Sequence, residues 1–226
     1  MKKENFKSIL VKKPWGHEFL IYENSKVAIW YLCIDHLKKT SLHCHPKKKT
    51  GFVLLKGKVE VDIGFYKKKI FNKFDKLMIR PGLFHATKSL SKTSSHVIEI
   101  ETPKNKNDLI RFQDKYGRQK KSYEGKKYMS QIPKGSLQLF NKSKIKKDNF
   151  LYEIKIFKKK IQNNFLKKNR IYIILDGGLG VNKNKIVLSP GDIVGQHTIK
   201  TLLKSFKPSP SIKILSIKKC LIKKYN

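Results

Sequence analysis

Three histidines stand where neutral imidazoles can converge. His43 and His45 form an H-x-H pair at the end of a predicted strand. Side chains alternate along an extended chain, so both rings share one face and Cys44 takes the other. His85 follows the turn Arg80-Pro81-Gly82 and offers a third corner. Three neutral imidazoles suit a divalent ion such as Zn, Mn, Fe or Ni and leave a position open for water or substrate. An H-x-H pair alone is a weak signal. The order His-x-His, then Gly57, then Gly82-x-x-His85 is a stronger one.

Glu99 and Glu101 also share one face of a strand. Turned inward, they bring two buried carboxylates into a basic protein, and Glu99 becomes a candidate proton-transfer base or additional metal ligand. Turned outward, they pair with lysines on a half-exposed strand. Arg111 and Arg118 bracket Asp114 and Tyr116 in a polar segment. A guanidinium grips a phosphate through two parallel hydrogen bonds. This pair therefore reads an anion or forms an Arg–Asp clip on the barrel, and the two roles are compatible. His197, the lone histidine of the second half, reads as a surface or structural residue, as do His17, His36 and His96 elsewhere.

The elements that position these residues are short strands. Runs at 27–35, 52–55, 59–65, 76–80 and 96–101 are rich in β-branched and aromatic residues. Val59, Val61 and Ile63 alternate, and Gly51, Gly57 and Pro81-Gly82 punctuate. No long segment keeps a helical period, so the expected fold is all-β, closed or sandwiched. From Asp108 to Tyr123 and on to Ser136 the composition turns polar, which reads as a linker or crossing segment. Strands resume at 150–157, 170–175, 185–188, 192–194 and 211–217. Gly177-Gly178 echoes Gly57, and KIVLSPGDIV echoes FDKLMIRPGLFH. The expectation is a duplicated β unit with a degenerate second copy, divided at residues 1–125 and 126–226.

The first half resembles a cupin, whose two blocks read G-x5-H-x-H-x4-E-x6-G and G-x5-P-x-G-x2-H. Within that superfamily it resembles the cupin part of the type II mannose-6-phosphate isomerases. The matching pieces are Lys13-Pro14-Trp15-Gly16, His43 to Gly57, Ile98 to Glu101 and Asp108 to Arg118, within residues 11–124. The resemblance implies two jelly-roll barrels and a divalent metal on His43, His45 and His85. It also implies a small anionic sugar substrate and aldose–ketose isomerisation, with Glu99, Arg111 and Arg118 as catalytic and phosphate-reading residues. Trp15 is then expected to plug the barrel end. Departures are plain. Thr50 stands where the first block has a metal-binding Glu, His43 where these isomerases usually have Gln, and Arg80 where the second block has Pro. The missing carboxylate predicts a weakened or absent metal. It leaves open a cupin enzyme that works without metal on nucleotide-linked or surface-polysaccharide sugars, or a non-catalytic sugar-binding cupin.

Composition sets the outer limits. The chain has 226 residues and a formal charge of +36, with 48 lysines but four arginines. At 39% hydrophobic residues it can bury a core, which argues against intrinsic disorder. Such a lysine excess reads first as a solvated face and second as an attraction for small anions. With arginine scarce and no helix-turn-helix, zinc-finger or RNP pattern, nucleic acid is not the expected partner. No apolar run is long enough for a bilayer, so a membrane partner is not expected. Three scattered cysteines suggest free thiols and a cytoplasmic setting, and a homodimer through the barrels fits the resemblance.

Overall fold

The computed structural model describes residues 5–118, 125–182 and 185–220. Part of the polar crossing segment, 119–124, lies outside the described residues. The chain divides into two compact units, Met1–Gln138 and Leu139–Asn226.

Among the described residues the first unit contains twelve strands. They are β1 Ile9–Lys13, β2 Gly16–Glu23, β3 Ala28–Ile34, β4 Leu42–Cys44, β5 Lys49–Lys56 and β6 Val59–Ile63. There follow β7 Lys67–Phe71, β8 Lys76–Ile79, β9 His85–Ser89, β10 Ser95–Thr102, β11 Ile110–Gln113 and β12 Met129–Gln131. One sheet has the order β12-β1-β2-β3-β10-β5-β8 and the other β11-β4-β9-β6-β7. Of the eight consecutive strands β3 to β10, β3, β5, β8 and β10 lie in the first antiparallel sheet and β4, β6, β7 and β9 in the second, so every connection but β6–β7 crosses between sheets, and the first strand lies beside the last. This is the double Greek key of a jelly roll. Ile34 and Leu54 are fully buried on the face turned to the barrel interior, and Ile29, Val53, Ile98 and Ile100 on the opposite face of the first sheet. The unit ends later than the composition shift suggests. β12 pairs with β1, Ile9 opposite Gln131, and the Gln138 side-chain amide donates to the Leu20 carbonyl at 3.0 Å. These bonds hold residues 129–138 to the first barrel.

The second unit contains β13 Lys144–Lys147, β14 Phe150–Lys158, β15 Arg170–Asp176, β16 Leu179–Asn182, β17 Lys185–Leu188 and β18 Ile193–Gly195. It continues with helix α1 Gln196–Ser205, then β19 Lys207–Pro208 and β20 Ser211–Lys219. Its sheets are β13-β14-β20-β15-β18 and β17-β16-β19. The order β14-β20-β15-β18 repeats β3-β10-β5-β8, and β17-β16-β19 repeats β7-β6-β9. The counterpart of β4 is missing. Residues 159–169 replace it with a loop that packs Ile161, Phe165 and Leu166 into the core beside Tyr172 and Ile174.

The repeat extends to single hydrogen bonds, and it corrects the sequence alignment of the two halves. The partner of Ser189-Pro190-Gly191-Asp192 is the turn Asn72–Asp75, not Arg80-Pro81-Gly82. The Asn72 N–H donates to Asp75 Oδ2 at 2.8 Å, and the Ser189 N–H to Asp192 Oδ2 at 2.7 Å. The Leu54 N–H meets the Asp75 carbonyl and the Ile174 N–H the Asp192 carbonyl, both at 3.0 Å. Phe74 and Gly191 occupy the same left-handed position, at φ +78° and +90°. A second correction concerns α1, which the sequence did not signal. Its Ile199 is buried, Leu202 and Leu203 pack on the same core, and His197 is exposed. No helix among the described residues is long and apolar enough to cross a membrane.

Candidate metal centre and its pocket

Period-two alternation builds one pocket inside the first barrel. Ser41, His43 and His45 face it from β4 and its end, His85 and Thr87 from β9, and Val97, Glu99 and Glu101 from β10. Leu42 and Cys44 point the other way and are buried there. His43 and His85 are direct partners across β4 and β9. Their ring centroids lie 4.4 Å apart, with His45 at 5.1 Å from His43 and 5.5 Å from His85. One ligand atom from each of the three falls within 4.8 Å of the others. Trp15, buried, forms part of the pocket wall.

The tautomers are fixed by the backbone. Nδ1–H of His43 donates to the Ser41 carbonyl at 2.8 Å, that of His45 to the Asp108 carbonyl at 2.6 Å, and that of His85 to the Leu83 carbonyl at 3.0 Å. A carbonyl only accepts, so each neutral ring is left with its lone pair on Nε2. Nε2 of His45 and of His85 is buried without a hydrogen-bond partner. Burial lowers all three pKa values. His43 is held well below 6.5, with His85 and His45 adding to the effect. His45 and His85 fall to about 4, with Lys48 adding to burial in both. Three neutral imidazoles with Nδ1 anchored and Nε2 aimed together fit a divalent cation, because the cation answers the otherwise orphaned lone pairs.

Beyond the histidines the pocket becomes a buried ionic cluster. Lys48 is 1% exposed, and its Nζ donates to Glu101 Oε1 at 2.9 Å. Lys106 Nζ lies 3.2 Å from Glu18 Oε1, 3.6 Å from Glu101 Oε1 and 3.5 Å from the centroid of the Trp30 ring. Glu99 and Glu101 both face inward, which decides between their two readings. Burial pushes Glu99 up to about 7, reinforced by Glu101 and opposed by Lys106. Burial also pushes Glu101 up, but Lys106, Lys48 and His45 together outweigh it and hold its carboxyl low. Lysines 48 and 106 were hidden in the lysine background. Counting back by twos from Phe52 and Thr50 places Lys48 inward, the one signal that could have found it.

Arg111 and Arg118 also reach the pocket wall. Arg111 on β11 stands opposite His43 on β4. Arg118 is buried and forked onto Asp114, Nε to Oδ2 at 3.0 Å and NH2 to Oδ1 at 2.8 Å. Its backbone N–H caps the same carboxylate at 2.7 Å. The Arg–Asp clip is therefore present at Arg118, while Arg111 extends beside the imidazoles.

By strand order and site, the first unit is an all-β jelly-roll barrel with a three-histidine pocket. No family model matches the chain, and no curated protein matches it in sequence. Among solved structures it is similar to an uncharacterized conserved protein with a double-stranded β-helix domain from Klebsiella pneumoniae. That match has 15% identity and a TM-score of 0.37, over 39% of this chain and 76% of that one. KdgF from Halomonas sp. matches at 16% identity and TM-score 0.39, over 41% of this chain and 84% of that one. The capsular polysaccharide assembling protein CapF from Staphylococcus aureus matches at 14% identity and TM-score 0.42, over 46% of this chain and 34% of that one. At these values nothing of those proteins' chemistry transfers to this chain.

Proposed function

We propose that the first barrel is a metal-dependent enzyme for a small anionic sugar, and that its reaction is aldose–ketose isomerisation of a sugar phosphate. The observation that carries this reading is the convergence of three anchored, neutral imidazoles in a pocket that Glu99 also lines. His43, His45 and His85 would hold a divalent ion through Nε2, and the chemistry it would supply is Lewis acidity toward a carbonyl and its neighbouring hydroxyl. Glu99 takes the proton from C2 of the aldose and returns it at C1 of the enediol. A second proton passes between the two oxygens, so no oxidant or reductant is needed. A carboxyl poised at about 7 is matched to this exchange near neutral pH. Arg111 meets the phosphate, and Arg118, forked onto Asp114, orients the turn at 114–118. The sequence resemblance to type II mannose-6-phosphate isomerases supports the same chemistry.

The test is metal analysis of the purified chain together with a screen of hexose and pentose phosphates. One divalent ion per chain is expected, lost in H43A/H45A without unfolding, and so is interconversion of one aldose–ketose pair. Glu99→Gln is expected to lower kcat by about 10²–10⁴-fold. Because the base form of Glu99 accepts the proton, kcat/KM should rise as pH rises through about 7 and lose that step in E99Q. Unchanged metal content in H43A/H45A overturns the reading. Thr50 in the ligand position and the buried Lys48 ammonium favour one second reading, a metal-free enzyme of nucleotide-linked or surface-polysaccharide sugars. Turnover of such a sugar that resists chelator and depends on His85 would establish it instead.

A further inference from the structure

We propose that Glu101 is a reserve metal ligand, held back by Lys48, through which β10 supplies the carboxylate that β5 lacks at Thr50. This rests on the metal-centre reading above. Thr50 on β5 and Glu101 on β10 are partners in register. Both side chains face the pocket, at 1% and 2% exposure. Thr50 Oγ1 is buried with no hydrogen-bond partner, so β5 offers a short hydroxyl where an anionic ligand would complete the set. The neighbouring strand brings a carboxylate to the same level of the barrel. That carboxylate acts electrostatically on His45, but it is not among the ligand atoms clustered with the imidazoles. Its Oε1 instead accepts from Lys48, whose backbone leaves the chain between His45 and Thr50.

A buried carboxylate and a buried ammonium each need the other, because either one alone carries an unpaired charge out of water. Without a metal, Lys48 meets that need as the hydrogen-bonded partner, with Lys106 Nζ farther off at 3.6 Å. A divalent cation on the three imidazoles competes for the same carboxylate with twice the charge. Lys48 therefore opposes metal in two ways: it engages Glu101, and its own charge repels the cation. The two separate by mutation. Lys48→Met removes both. K48M/E101Q removes the ammonium and also takes away the carboxylate, leaving a neutral pair of similar volume.

The experiment is calorimetric titration of the full chain, freed of metal, with Mn²⁺ and Zn²⁺. K48M should bind at least about tenfold tighter than the wild type, and K48M/E101Q should give back most of that gain. Equal affinity of K48M and K48M/E101Q would mean that only repulsion was relieved, and would overturn the ligand role. So would a K48M no tighter than the wild type while H43A/H45A still abolishes binding, an outcome that leaves the metal centre intact. If H43A/H45A binds as the wild type does, the metal centre itself fails and this inference with it. Should K48M be too unstable to titrate, Glu101→Asp serves. It keeps the charge and shortens the reach, so weaker binding than the wild type is expected, and equal binding overturns the proposal.

Discussion

Asp108 does more for the site than its place in a polar segment suggests. Its carbonyl accepts from His45 Nδ1, and its carboxylate accepts the N–H of Lys47 at 3.0 Å and of Lys48 at 2.9 Å. One residue thus sets the tautomer of a candidate ligand and the loop that carries Lys48 inward. Asp108→Ala leaves two backbone donors without their carboxylate, a loss of about 1–3 kcal/mol in stability. With the anchor loosened, metal affinity should fall about tenfold or more, with Asp108→Asn between the two. Denaturant titration and metal titration of the same variants check both effects. The imidazoles set a further expectation. In metal-free protein His45 and His85 take up a second proton only below about 4, against 6.5 for an unburied imidazole. Between those values the unfolded chain binds more protons than the folded one. Their contribution to stability is complete above 6.5 and is lost as pH falls toward about 4. Tm of the chelator-treated protein should drop across that window, and H45N/H85N should flatten the drop.

At the scale of the element, the second unit repeats seven of the eight strands β3 to β10 among the described residues, and the strand left without a counterpart is the one that brings two of the three candidate ligands. β4 supplies His43 and leads into His45, and the second unit has a core-filling loop in its place. The absence of a histidine pair in the second half follows from the absence of its scaffold. The shared turn gives a direct check. Asp75 and Asp192 each accept the backbone N–H three residues earlier, so Asp75→Ala and Asp192→Ala should each cost about 1 kcal/mol. Amide exchange should quicken in the strands flanking each altered turn. Much of this architecture was legible. The alternating apolar strands of both halves, Gly57 after β5, the three histidines and the shared face of Glu99 and Glu101 all follow from residue type and period, while the inward direction of that face did not. Other parts were not. β7 begins with Lys67, Lys68 and Lys69, all exposed, and a lysine run on an edge strand looks like a loop. The ten-residue α1 has one buried side chain and several β-branched residues, too little for a helical signature. The match of Pro81-Gly82 with Pro190-Gly191 misled because a left-handed position is ordinarily read from glycine, and the true counterpart of Gly191 is Phe74.

At the scale of the whole molecule, the charge and the site act over different distances. A net charge of +36 draws any anion toward the surface. That attraction is screened beyond a Debye length of about 8 Å at physiological ionic strength. Arg111 works at contact range, half-buried in the pocket wall opposite His43. Screening reaches such a contact far less than it reaches the exposed lysines. The two contributions therefore fall on different rate constants. Added salt should slow association of a phosphorylated sugar and leave its dissociation nearly unchanged. Arg111→Ala should do the reverse, speeding dissociation by about one to two decades at every salt concentration, as loss of a charge-assisted hydrogen bond of about 1.5–3 kcal/mol requires. The unphosphorylated sugar should be nearly indifferent to both changes, and stopped-flow binding of the two sugars reads all four rates. Arg118→Ala separates the clip from the reader. With Asp114 unforked it should lower Tm and weaken both sugars alike. If Arg111→Ala behaves the same way, equal for both sugars and accompanied by a fall in Tm, then Arg111 fastens β11 to β4, and the anion is held elsewhere in the pocket.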